Sequence, residues 1–158
     1  MRLTSFTDYT LRSLIYLGMH REQLVTIQDI ADLHGISKNH LTKVIHQLGV
    51  SGMVETVRGR NGGLRLRMEP ADISIGAVVR QSESDFHIAE CFDHNNQGCA
   101  LHRGCALKTK LGKATEAFLQ VLDEVTLEEM LPGPHSKMGE AILEQPIVFH
   151  PLPKAEAA

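Results

Sequence analysis

The chain has 158 residues, 42% hydrophobic and 22% charged, with a formal net charge of -3, an ordinary balance for a globular protein long enough to bury a core. No run of 18 apolar residues occurs and Met1–Asp8 lacks the apolar core of a signal peptide, so no transmembrane helix is expected and the expected compartment is the cytoplasm. Trp is absent and aromatic residues make up only 4%, which argues against a base-stacking single-strand binder.

Thr7 is placed to cap a first helix running to about His20, with Leu11, Leu14, Ile15 and Gly18 along one face. Glu22 to Val25 reads as a loop. Thr26 and Asp29 have the spacing of a capping box, which opens a short helix ending near Leu33. Gly35 permits a tight turn and Ser37 can cap the next helix. That helix carries Leu41, Val44, Ile45 and Leu48 at i, i+3, i+4 and i+7, so one face belongs to the core.

Two such helices joined by a short turn predict a helix-turn-helix. Opposite the apolar stripe stand Asn39, Thr42, Lys43 and His46. Asn can hydrogen-bond adenine, Lys can bind guanine or phosphate, and the Thr methyl can touch thymine in a major groove. Gln28, Ser37, Lys38 and His40 complete the expected contact set on these two helices. An ordinary helical hairpin with a polar surface would share this pattern, and the next segment separates the two readings.

Met53 to Val57 has strand character, Arg58-Gly59-Arg60-Asn61-Gly62-Gly63 forms a Gly-rich tip, and Leu64-Arg65-Leu66-Arg67 alternates apolar and Arg. A β-hairpin directly after a helix-turn-helix is a wing. Arg58, Arg60 and Arg65 are its expected phosphate and minor-groove contacts. The stretch lacks both the Walker spacing and GxGxxG, so it is not read as a nucleotide loop. Charge agrees: residues 1–70 hold nine Lys/Arg against six Asp/Glu, whereas 71–158 hold seven against thirteen. A basic front on an acidic chain suits a polyanion-binding module.

Beyond Pro70, Ile73 to Gln81 predicts a short helix and Ser82 to Arg103 a loop. A long helix follows from about Ala106 to Val125, with Leu107, Leu111, Ala114, Phe118, Val121 and Val125 spaced 4, 3, 4, 3, 4. That is the seam of a coiled coil, and it suits a dimerisation helix for a regulator that reads two half-sites. The expected architecture is mainly α with a small β-hairpin wing. Residues 1–70 form a winged helix-turn-helix DNA-binding domain and 71–131 a site-bearing loop with the dimerisation helix. The Pro-rich stretch 132–158 is a disordered tail.

All three cysteines fall in the pattern Cys91-x7-Cys99-x5-Cys105. An odd, clustered set in a cytosolic chain points to metal or redox chemistry rather than a disulfide framework. The absence of CxxC argues against a zinc ribbon or a thioredoxin-type pair. Three thiolates leave a fourth metal position open, for which Asp93, His94, His102 and the remote Asp8 are candidates. Lys108, Lys110 and Lys113 near the start of the long helix, with Asp123 and Glu124 near its end, oppose the helix dipole. Such charges suit an anionic group, such as a thiolate-ligated iron–sulfur cluster, at the N-terminal end.

Met1–Thr4, Phe6–Arg12, Ile36–Leu41, His46–Gly49, Arg58–Leu66, Asp85-Phe86, Glu90-Cys91-Phe92 and Ala117–Asp123 together resemble a family of winged-helix iron–sulfur transcription regulators, in particular its nitric-oxide-sensing repressors. The resemblance covers residues up to about 130 and stops before the tail. It implies a homodimer that holds one iron–sulfur cluster per subunit, 4Fe-4S or 2Fe-2S. Such a dimer binds double-stranded operator DNA, represses nitrosative-stress genes, and releases DNA when nitric oxide attacks the cluster. It further implies Cys91, Cys99 and Cys105 as ligands, with Asp8 as a fourth from the first helix of the other subunit. Asp8 also stands four residues before Arg12, the spacing of an ordinary helical ion pair. A sister branch carries His three residues after the last Cys, where this chain has Lys108. The seven-residue first gap is longer than is usual in the family.

Two other readings compete. Cys91, Cys99, His102 and Cys105 on one zinc or iron would make a metal-responsive or otherwise redox-responsive repressor, although the spacing is unusual for zinc. A thiol enzyme using Cys91 or Cys105 lacks any accompanying oxyanion or substrate-pocket motif, so no enzymatic activity is expected.

Overall fold

A computed structural model describes residues 2–93, 98–99 and 104–133. The expectations for His94, His102 and Arg103, and for the tail from residue 134, lie outside these residues. Helix α1 spans Ser5–Met19, starting earlier than the sequence suggests. Thr4, extended at ψ 157°, is the cap, and its hydroxyl accepts the Thr7 N–H at 3.3 Å. Thr7 lies inside the helix and is fully buried.

Helix α2, Ile27–His34, opens with the expected capping box. Thr26 Oγ1 accepts the Asp29 N–H at 3.2 Å, and Asp29 Oδ2 accepts the Thr26 N–H at 2.7 Å. Gly35 ends α2 at φ +62°, a left-handed conformation that a Cβ disfavours. Ser37 then caps helix α3, Lys38–Val50, whose Leu41, Val44, Ile45 and Leu48 are all buried.

Strands β1, Val54–Val57, and β2, Gly63–Leu66, pair antiparallel in the register Val54↔Leu66 to Val57↔Gly63. The sequence reading treats Val25 as loop, but it extends this sheet: its N–H donates to Leu64 at 3.1 Å and its carbonyl accepts from Leu64 at 2.7 Å. Val25 itself is fully buried. A mainly helical domain with a two-stranded wing is therefore the observed fold.

After a 3-10 turn at Pro70–Asp72 come α4, Ile75–Ser82, a second 3-10 turn at Glu90–Phe92, α5, Ala106–Asp123, and α6, Leu127–Met130. Helix α5 stops at Asp123 rather than Val125, because the chain then turns back to pair with the segment before α4. Ser74 and Thr126 form an antiparallel bridge, Ile75 N–H donates to Val125 O at 2.9 Å, and Leu127 N–H donates to Ile73 O at 2.8 Å. Arg80 of α4 also binds the Asp123 carboxylate.

One apolar core joins these elements. It runs from Leu14 and Leu17 of α1 through Ile30, Leu41, Val44 and Leu64 to Ile73, Val78, Val79 and Leu127. Helix α1 lies at its centre and touches α3, α4, α6 and β2. Among the described residues no helix is long and apolar enough to cross a membrane.

Helices α4 and α5 meet backbone to backbone at Gly76. A Cβ there would lie 2.6 Å from Asp123 N and 2.7 Å from Asp123 Cα. Gly76→Ala should therefore destabilise the fold by about 1–3 kcal/mol through overpacking. Urea unfolding checks this, and an unchanged midpoint would contradict the close approach.

Candidate nucleic-acid interface and cysteine site

The buried stripe of α3 turns its other side to solvent. Lys38, Asn39, His40, Thr42, Lys43 and His46 are exposed, as is the cap Ser37, whose Oγ accepts the His40 N–H. Thr42, exposed, donates its Oγ1 hydroxyl to Lys38 O at 2.8 Å. At the wing tip Arg58 and Arg60 are exposed. Among the described residues Lys38, Lys43, Arg58 and Arg60 hold no ion-pair partner. Unpaired cations around a protruding helix and hairpin give the electrostatic footprint of a duplex-binding surface.

Two expected contacts are engaged within the chain. Gln28 is half-buried and its Nε2 donates to Asp32 Oδ1 at 2.8 Å. Arg65 stands opposite Glu55 in the hairpin register, and its guanidinium meets the Glu55 carboxylate at 3.0 Å. Glu55 is the one acid between residues 37 and 67, and it neutralises one wing arginine through a cross-strand pair that the sequence reading overlooks. Counting back from the hairpin tip would have found it. The sequence reading also misses Tyr9, whose ring stacks on His40 with centroids 6.2 Å apart and so ties α1 to α3.

Asp8 sits half-exposed on α1, paired with Arg12 Nε at 3.0 Å. His34 lies close by. Burial chiefly, with the Arg12 guanidinium, holds its imidazole below the usual range, while Asp8 pulls the other way. Its Nε2 is buried without a hydrogen-bond partner among the described residues. A neutral ring at that position costs less than a charged one.

All three cysteines are free thiols. Cys91 lies in the 3-10 turn Glu90–Phe92, half-buried, and Cys99 is exposed. Cys105 caps α5, its Sγ accepting the Lys108 N–H at 3.4 Å. Among the described residues no three His, Cys, Asp or Glu side chains gather closely enough to hold an ion, so the structure does not join Asp8 to the cysteines. The donor set nevertheless fits an iron–sulfur cluster: three unpaired thiols in one short stretch supply soft ligands. The sulfur of Cys105 also faces the positive end of a helix dipole.

Along α5 the expected seam is divided. Leu107 and Val121 are 65% and 63% exposed, whereas Phe118 and Val125 pack against the core. The residue most buried on α5 is Leu119, at 7%, which the 4, 3 spacing passes over. Asp123, at the acidic end of the helix, is matched by Arg80 rather than left against the dipole.

A helix-turn-helix followed by a wing, both cationic at their tips, defines a winged-helix DNA-binding transcription regulator. A family profile described as Rrf2, iron-dependent transcriptional regulator, matches residues 3–133, and the chain belongs to that family. The HTH-type transcriptional regulator NsrR of Bacillus subtilis (strain 168) is 52% identical over 132 residues, spanning 83% of this chain and 90% of that protein. The like-named regulator of Shouchella clausii (strain KSM-K16) is 46% identical, spanning 83% and 89%. Among solved structures, T. potens IscR superposes with TM-score 0.66 at 27% identity over 82% of this chain and 85% of that one. CymR (YrzC), the global cysteine regulator of B. subtilis, gives 0.66 at 25% over 82% and 95%. Membership of this family of winged-helix transcription regulators, read from the motifs, is borne out.

Freeing Arg65 should strengthen the backbone contact. Glu55→Gln is expected to raise affinity for non-specific duplex DNA and to steepen the slope of log K against log salt by up to about one. Fluorescence anisotropy across a salt series measures both quantities. An unchanged slope would mean that Arg65 stays off the phosphates.

Proposed function

We propose that the chain is a homodimeric, iron–sulfur-dependent repressor that loses its grip on operator DNA when nitric oxide is present. The observation that carries this reading is the cysteine segment itself. Three free thiols lie within one short stretch of a DNA-binding regulator, and one of them caps the helix that carries the exposed apolar seam. When bound, a cluster held by three thiolates and a carboxylate supplies iron that reacts with small diatomic molecules. Cys91, Cys99 and Cys105 would hold it, and Asp8 of the other subunit would complete the set.

The protein's own residues supply the rest. Leu107, Ala114 and Val121, seven apart and all exposed, would pair the α5 helices of two subunits. Asn39, Thr42, Lys43 and His46, with Ser37, Lys38 and His40 at the helix start, would read a half-site. Arg58, Arg60, Arg65 and Gln28 would hold flanking phosphate or groove edges. Two such surfaces must stand about 34–36 Å apart to reach successive major grooves. Asp8 would have to leave Arg12 to ligate, and its neighbour Tyr9 rests on His40 of α3. Ligation at Asp8 would thus bear on the residue beside the one that touches the recognition helix.

The test is a visible spectrum of anaerobically purified protein, with iron and sulfide counts, light scattering and operator binding before and after nitric oxide. The reading requires a coloured dimer that bleaches and releases its operator. Failure of reconstitution with stoichiometric zinc present would instead favour the metal-responsive repressor. Asp8→Ala should keep the thiolate-derived absorption but alter band shape and hasten loss of the cluster in air. An identical spectrum and nitric oxide response would remove Asp8 from the ligand set.

A further inference from the structure

We propose that Phe92 and Lys108 form a clasp that fixes Cys91 onto the same end of α5 that Cys105 caps. The proposal takes the ligand roles of these cysteines from the reading above, but the clasp is a property of the chain without metal. Phe92 closes the short 3-10 turn that carries Cys91, with its N–H donating to Ala89 O at 3.0 Å and Asp93 N–H donating to Glu90 O at 3.1 Å. Its half-buried ring lies on α5 at Gly112, where Cε1 stands 3.6 Å from the position a Cβ would take. A residue without a side chain lets the ring rest on the helix surface there.

Lys108 lies one helical turn before Gly112, and its Nζ stands over the same ring, 5.6 Å from the centroid, within the range of a cation–π contact. Its backbone N–H is also the one that donates to Cys105 Sγ at 3.4 Å. One residue therefore touches both cysteine-bearing segments, through its amide on one side and its ammonium on the other. The contact at Gly112 falls about 10 Å along the helix axis from Cys105. Cys91 and Cys105 are thus anchored to one rigid element although 13 residues separate them. Cys99, exposed between them, stands outside the clasp. Anchoring two of three ligands beforehand lowers the ordering cost of filling the site.

Thiol protection in the metal-free full-length chain measures the clasp directly. N-ethylmaleimide alkylation is followed for each cysteine by peptide mass spectrometry, with thermal melts alongside. Phe92→Ala should accelerate modification of Cys91 by about fivefold or more and Lys108→Met by about two- to fivefold, the scale of one exposed cation–π contact. Cys99 should not change. Should Phe92→Ala melt as a whole, Phe92→Leu and Lys108→Met, which keep most of the volume and the alkyl stem, carry the test. Unchanged Cys91 rates in Lys108→Met and in the folded Phe92 variant would overturn the clasp. In reconstituted protein the same variants should lose cluster absorbance to a chelator faster. Deprotection of Cys91 in a protein that never takes up iron would leave the clasp standing and remove the cluster reading instead.

Discussion

The burial of Leu14 and Leu17 in α1 is the contact on which every other element depends. Both are almost wholly removed from water, and the helix that carries them packs against α3, α4, α6 and β2. At about 25 cal/mol per Å² of apolar area, complete burial of each such side chain contributes on the order of 2 kcal/mol. Those two residues alone are a large share of the stability of an ordinary domain. The helix is therefore both the centre of the DNA-binding unit and the floor on which the α4–α5 pair rests. No boundary between the reading head and the cysteine-bearing half can be drawn through the core without cutting α1's own contacts.

Electrostatics divides the surface in a second way. The recognition helix and wing tip leave their cations unpaired among the described residues. Away from that surface, Arg21 is paired with Glu69, Arg80 with Asp123 and Arg12 with Asp8. The pairs are half-exposed and each adds little to stability. Their effect is to withdraw those arginines from a polyanion. On the wing itself, Glu55 holds one arginine along the strand.

Much of the fold was legible in the sequence because local rules and tertiary packing agree there. The Thr26–Asp29 capping box, Gly35, Ser37 and the Leu41–Val44–Ile45–Leu48 stripe each stand where the pattern places them. The first cap was misplaced because Thr4 and Thr7 are equally good cap residues, and only burial of Thr7 decides between them. Val25 was missed as a strand because a single bridging residue has no periodicity to detect. Leu119 was missed as the buried residue of α5 because the 4, 3 spacing selects a different face, and nothing local says that Gly76 brings α4 against the helix. At the candidate site the residue types were legible and their mutual positions were not. Cys105 is a helix cap and Cys91 a neighbour of a pinned ring, and the second fact depends on a contact between distant segments.

The bridge between Ser74 and Thr126 has an evolutionary consequence. The chain opens an excursion at Ser74 and closes it at Thr126, with some fifty residues in between. Helices α4 and α5 close that excursion at its base, where Gly76 and Arg80 meet Asp123. Beyond α4, Glu83 is tied to the reading head through Thr4, whose N–H and hydroxyl both donate to Glu83 Oε1. Residues can be added to or removed from the arc between Glu83 and Cys105 without shifting the register of the core, because loop lengthening by a few residues has a small entropic cost. A lineage built on this scaffold can thus vary the spacing of its cysteines while inheriting its DNA-reading surface unchanged.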